Sequence, residues 1–128
     1  MFTGIVEELA KVEHVQELDD FYTVKIASIF SDKMKVGDSI AINGVCLTAT
    51  DLDNGCFIVD IVKETLDKSS LKGLTNQSYV NLERSMKVSS RIDGHIVQGH
   101  VECTSNIVNI ESFNNQTNFT IEVDQNYL

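Results

Sequence analysis

Two Asn-Gly pairs, Asn43-Gly44 and Asn54-Gly55, each stand between runs in which apolar residues recur at every second position. Both residues of such a pair tolerate positive φ, as a two-residue hairpin turn demands, so the pairs mark where strands reverse. Around them Ile40 and Ile42 alternate with Ser39 and Ala41, and Val45, Leu47 and Ala49 alternate with Cys46, Thr48 and Thr50. Phe57, Val59 and Ile61 follow the second turn, while Tyr22, Val24 and Ile26, and then Val80 and Leu82, repeat the pattern. Period two is the side-chain period of a strand. Several short strands with turns between them predict an all-β sandwich or small barrel. Two stretches read as helical: Glu64–Leu71, which Gly73 could end, and a single turn over Ile29–Met34.

A chain of 128 residues fits one domain and can bury a core. Its net charge of −9 disfavours nucleic acid and anionic membrane as partners, because phosphate-rich surfaces call for concentrated Lys and Arg. No apolar run approaches the roughly 20 residues of a membrane helix. The first residues, Met1-Phe2-Thr3-Gly4-Ile5-Val6-Glu7-Glu8, carry no basic start and reach acid too early for a signal peptide. Cys46, Cys56 and Cys103 are too few for a disulfide scaffold, so the expected location is cytoplasmic with reduced thiols.

An internal repeat constrains the organisation further. Phe2-Thr3-Gly4-Ile5-Val6-Glu7 aligns with Val97-Gln98-Gly99-His100-Val101-Glu102 at an offset of 95, and Tyr22–Ile26 aligns with Phe119–Val123 at an offset of 97. Two matches in the same order point to duplication. The expected division is one complete unit over 1–90, followed over 91–128 by a linker and the first strands of a second unit. Strands from about Ile96 to Val123 would then lack a barrel of their own and present open edges to another chain.

Three groups of residues could carry chemistry. Strand alternation puts the Cys46 thiol and the Thr48 and Thr50 hydroxyls on one face, away from Val45, Leu47 and Ala49. Such a face is either a solvated strand surface with a half-buried cysteine or a shelf for a polyol ligand whose ring the thiol can attack. Asp60, Lys63, Glu64 and Thr65 mark a strand-to-helix junction that presents backbone N–H groups. His95, His100 and Cys103 suggest metal, but strand geometry opposes it. His95 and His100 fall on opposite faces about 16 Å apart, and His100 and Cys103 also diverge, so His100 is read as a donor or proton shuttle rather than a ligand. His14 lies in a polar stretch and reads as a surface residue.

Taken together, Met1–Glu8, Gly37–Thr48, Lys63–Leu66, Val80–Met86 and Gly94–Val101 resemble the riboflavin synthase family (the single-polypeptide, alpha-chain type), in order and across the whole chain. The resemblance implies two six-stranded Greek-key barrels in tandem, assembled as a homotrimer, and a reaction without metal or organic cofactor. In that reaction two molecules of 6,7-dimethyl-8-ribityllumazine dismutate to riboflavin and 5-amino-6-ribitylamino-uracil. It implies substrate contacts from Phe2, Gly4, Ile5 and Val6, from Cys46, Leu47 and Thr48, from Asp60, Ile61, Val62, Lys63, Glu64 and Thr65, and from Gly99, His100 and Val101. Its implied catalytic set is Cys46 as nucleophile or base, His100 assisting proton movement, and Ser39, which like Thr48 makes a polar contact. Phe2 would stack near a ring. The family's second Asn/Asp-Gly block and its trimerising helix are not among these residues. The expectation is therefore a chain that binds lumazine or riboflavin, catalyses little by itself and self-associates, with a dimer as one form. The alternative is a non-catalytic lumazine- or flavin-binding protein of the same fold.

Overall fold

The computed structural model describes residues 1–128. Six antiparallel strands close on themselves: β1 (Glu8–Glu17), β2 (Phe21–Ala27), β3 (Ser39–Ile42), β4 (Val45–Asp53), β5 (Cys56–Val62) and β6 (Tyr79–Arg84), in the order β1-β2-β5-β4-β3-β6. Closure leaves no strand at the edge of a sheet. The Asn-Gly turns sit where the alternation put them. Asn43 (φ 49°) with Gly44 (φ 81°), and Asn54 (φ 43°) with Gly55 (φ 78°), reverse the chain into β4 and β5. The Asn43 side chain also accepts from Asn81 N at 2.8 Å, latching the first turn to β6.

The inward residues of these strands make one core. Val24, Ile26, Ile40, Ile42, Phe57 and Leu82 are fully buried in it. Each such side chain contributes about 1.5–3 kcal/mol relative to exposure. The expected helix is shorter than its pattern: α1 (Lys63–Lys68) gives way to a 3-10 turn over Ser70–Gly73. The Ser69 hydroxyl donates back to Thr65 O at 2.6 Å and accepts from Leu71 N, which ends the α-helix there. Leu66, Leu71 and Leu74 from this region join the core beside β2 and β5. The Ile29–Met34 stretch forms one 3-10 turn at Ser31–Lys33.

β1 was not legible in the alternation because a bulge between Val12 and His14 shifts its phase in mid-strand. The same bulge recurs later. A separate two-stranded ribbon, β7 (Ile107–Phe113) with β8 (Gln116–Ile121), shifts register between Ile107 and Asn109. Its pairs Ile107↔Ile121, Asn109↔Thr120, Ile110↔Phe119, Glu111↔Asn118 and Ser112↔Thr117 repeat Val12↔Ile26, His14↔Lys25, Val15↔Val24, Gln16↔Thr23 and Glu17↔Tyr22 at a constant offset of 95. This corrects the second sequence match: Tyr22 corresponds to Thr117, not Phe119. A two-residue slip preserves strand phase, so alternation alone cannot detect it.

The segment before that ribbon also departs from expectation. Ile96–Val101 is no open edge. It crosses onto the barrel, where Phe2 N donates to Val97 O (2.9 Å), Val97 N donates to Phe2 O (3.0 Å) and Cys46 N donates to Gly99 O (2.8 Å). Phe2 and Val97 are repeat counterparts, so this bridge pairs a position with its own duplicate.

Candidate functional site

The site is built where the barrel opens. The β4–β5 ladder runs from Asp53↔Cys56 to Ala49↔Val59 and goes no further. Beyond it β4 continues backwards through Thr48 and Cys46 paired only to β3, and β5 continues through Asp60–Val62 paired only to β2. The two strands therefore part, and backbone polar groups on the facing edges are left for other partners. The Gly99–Val101 strap meets one of these edges, at Cys46 N. Gly99 has to be glycine: its φ is 80°, and a Cβ there would lie 2.9 Å from the Cys46 Cβ.

On the outer face of this opening, Ser39 pairs directly with Thr48, and Ala41 with Cys46. Ser39 and Cys46 are half-buried and Thr48 is exposed. The hydroxyl and thiol row read from the sequence thus faces out of the barrel and is open. Across the gap Asp60 is exposed and accepts the Thr23 hydroxyl at 2.7 Å. Val62, Lys63 and Glu64 are exposed at the start of α1, and Thr65 is half-buried. Lys63 binds Asp67 (2.9 Å), and Lys68 binds Glu64 (2.7 Å). These contacts raise both lysines and lower both carboxyls from their ordinary pKa values, chiefly through the hydrogen bond within each pair.

Two of the expected contact residues turn away. Leu47 and Ile61 point into the core, so what they can offer a ligand is backbone. Phe2 is fully buried, and with Gly4, Val6, Ala41, Glu83 and Gly99 it borders a small cleft of about 110 Å³ on the outer face of β3 and β6. Gly4 and Val6 thus share this cleft with Gly99 and with Ala41, the cross-strand neighbour of Cys46, and a Cβ on Gly4 would lie 3.6 Å from His95 Cε1. His100 is exposed, bordering a shallow cleft of about 490 Å³ with Gly44, Gln98, Val101 and Glu102. Val101 packs partly against the core. No three His, Cys, Asp or Glu side chains converge on a common point. Cys56, the other barrel cysteine, is buried away from the site, and burial pushes its thiol pKa up.

The sequence reading missed the residues that hold the strap. His95 N donates to Thr3 O (3.1 Å), and Gly94 lies so close that a Cβ there would meet Thr3 O at 2.3 Å. Glu83, an outward position on β6, binds the Thr3–Gly4 turn. Gly94 did have a visible signal, a glycine without a hairpin pattern around it. Glu83 had none, since its burial depends on where the N-terminus lands.

A family model for the lumazine binding domain matches residues 3–85. The chain is 42% identical over 126 residues to a riboflavin synthase of Bacillus subtilis, covering 97% of this chain and 58% of that protein. It is 49% identical over 111 residues to a riboflavin synthase of Mycobacterium bovis, covering 84% of this chain and 55% of that protein. The chain thus spans somewhat over half the length of these relatives. Among solved structures it superposes on LumP complexed with 6,7-dimethyl-8-(1'-D-ribityl) lumazine with a TM-score of 0.85 at 20% identity, covering 98% of this chain and 70% of that one. LumP complexed with riboflavin gives the same TM-score. These structural likenesses concern the fold. All six strands of the closed barrel lie within the matched residues, and the chain belongs to the lumazine-binding domain family.

Proposed function

We propose that the chain binds 6,7-dimethyl-8-ribityllumazine, and riboflavin, in the opening between β4 and β5. The observation that carries this reading is the early end of the β4–β5 ladder beneath the Gly99–Val101 strap. A flat pteridine presents alternating donors and acceptors along its edge, and unpaired strand edges present the complementary backbone groups. The ribityl arm, a row of hydroxyls, suits the Ser39, Thr48 and Thr50 face and the Asp60–Thr65 junction. The names of the solved neighbours and of the curated relatives support the same ligand class.

The reaction we assign to this family site is that of riboflavin synthase. One lumazine passes a four-carbon unit to another, giving riboflavin and 5-amino-6-ribitylamino-uracil, with no metal or organic cofactor. Atoms balance without a redox partner. Its barrier falls mainly through orientation of two identical substrates face to face. Cys46 is positioned to add to, or take a proton from, the bound ring, and His100 to move a proton at the rim. Ser39 orients the ring or arm beside Cys46. Two substrates require two sites, and the barrel here supplies one. Gly4-Ile5-Val6, the repeat counterpart of Gly99-His100-Val101, is placed to strap a ligand on a second barrel in the way the later segment straps this one. Units 1–90 and 91–128 then belong to successive barrels, and self-association brings the sites together. The activity belongs to the soluble, cytoplasmic route to flavins.

A second reading, binding without turnover, is favoured by the single closed barrel in the chain. One titration separates them. Adding the chain to 6,7-dimethyl-8-ribityllumazine should perturb the ligand's fluorescence under both readings, whereas growth of riboflavin absorbance, followed with the full-length gene product, occurs under the first alone. An unchanged fluorescence removes both.

A further inference from the structure

Glu83 lies on β6 in one cross-strand row with Ala41 and Cys46. Alternation sends its side chain to the outer face, where a carboxylate belongs in water, yet the residue is only 8% exposed. Shielding a carboxylate is costly unless its oxygens are bonded. Its partners come from the N-terminus. Oε1 accepts from Thr3 N (2.7 Å), from the Thr3 hydroxyl (3.0 Å) and from Gly4 N (3.1 Å). No cation pairs with it, because the neighbouring Arg84 is turned to Glu7.

The turn that Glu83 grips is the one that holds the strap. Phe2 exchanges two backbone hydrogen bonds with Val97, Thr3 O accepts from His95 N, and two residues past Val97 the Gly99 carbonyl caps Cys46 N. Glu83 is the one side chain bonded to both Thr3 and Gly4. Backbone bonds fix the chain on either side, from Met86 N to Met1 O and from Glu7 N to Leu82 O, so the turn between them is set by the carboxylate.

We propose that Glu83 is a positioning residue for the ligand site: by gripping the Thr3–Gly4 turn it sets the Phe2–Val97 bridge and so holds the Gly99–Val101 strap over Cys46. Bonds to an ionised acceptor are roughly twice as strong as neutral ones, which suits a clamp at a chain end that would otherwise fray. Oε1 accepts all three bonds, so the grip is a single point about which Thr3 and Gly4 are oriented. The proposal rests on the lumazine reading of the site only for its effect on affinity.

The test uses the full 128-residue chain in wild-type, E83A and E83Q forms. Amide exchange is read at Val97 and Cys46 relative to Val24 in the core, without ligand. Affinity for 6,7-dimethyl-8-ribityllumazine is read by fluorescence. In E83A, exchange at Val97 and Cys46 should rise at least about tenfold relative to Val24, and affinity should fall about tenfold, because a loosened strap must be ordered at each binding event. E83Q keeps an accepting oxygen without the charge, so its values should lie between the other two. A merely structural role would raise exchange at Val24 together with the strap amides and leave the affinity of the folded fraction unchanged; that result overturns the proposal. If E83A does not fold, E83Q with T3V, which deletes the hydroxyl donor, decides it: unchanged relative exchange in both is equally fatal. A wild-type chain that does not bind lumazine refutes the site reading instead, and the exchange measurement still decides the clamp.

Discussion

The ribbons β1–β2 and β7–β8 share their register pair for pair, bulge included, and differ in what covers them. Val12, Val24 and Ile26 are fully buried in the barrel, whereas their counterparts Ile107, Phe119 and Ile121 are 54–56% exposed. The residues are no less apolar in the second ribbon; four further strands are what it lacks. Hydrogen bonds and turn chemistry therefore shape a ribbon, while burial against the other strands supplies its stability. The contrast also places the strap in context: it leads towards the exposed ribbon in sequence, yet its backbone bonds are with Phe2, Thr3 and Cys46.

The contrast is sharpest in local opening. Amides of β2 should exchange only through global unfolding, at about 5–15 kcal/mol. Amides of β7–β8 should be protected by no more than about 1–2 kcal/mol, since a lone hairpin is marginal in water. Equal protection, measured by hydrogen exchange in the same sample, would mean that another surface covers the second ribbon. Next in size is a matched pair of truncations. Ile26→Ala should cost about 2–5 kcal/mol in urea unfolding, through lost burial and a cavity. Ile121→Ala, at the corresponding step, should stay within about 0.5 kcal/mol. A large effect at both positions would break the comparison.

The link between the two regions can be cut by one methyl group. Gly99→Ala forces a side chain into positive φ and against the Cys46 Cβ, at about 1–3 kcal/mol. The strap should lift while the barrel stays folded, so lumazine binding should weaken by about tenfold or more with the far-UV spectrum retained. The smallest effect is electrostatic. Glu7 is held below the usual carboxylate range chiefly by its hydrogen bond to the Arg84 side chain, against a smaller upward push from burial. A lowered folded pKa stabilises above the ordinary value and is lost as pH falls through the depressed one. Both side chains are partly exposed, which limits the pair to about 1 kcal/mol or less. Glu7→Gln should flatten the fall in stability below about pH 4.5.

Much of this was legible in the chain because strands and their turns write themselves locally. Asn43-Gly44 and Asn54-Gly55 announced two hairpins, and alternation placed Cys46 and Thr48 outward with Leu47 inward. What stayed hidden depended on phase or on distance. The Val12–His14 bulge hid β1, and a two-residue slip was invisible to a period-two pattern, which is why Phe119 was matched to Tyr22 and not to Val24. The closing of the barrel, the parting of β4 from β5 and the burial of Glu83 arise from residues far apart in sequence. The resemblance named Gly4–Val6 and Gly99–Val101 together. The structure sets them on opposite sides of the Phe2–Val97 bridge, a distinction that no local signal carries.

The bulge has one more consequence. In β7 the same register shift stands in a ribbon whose apolar side chains, Ile107, Phe119 and Ile121, are exposed. The shift is thus common to both ribbons, the one packed inside the barrel and the one outside it. A ribbon whose pairing is set by local contacts leaves less conformational search for the strands that close the barrel.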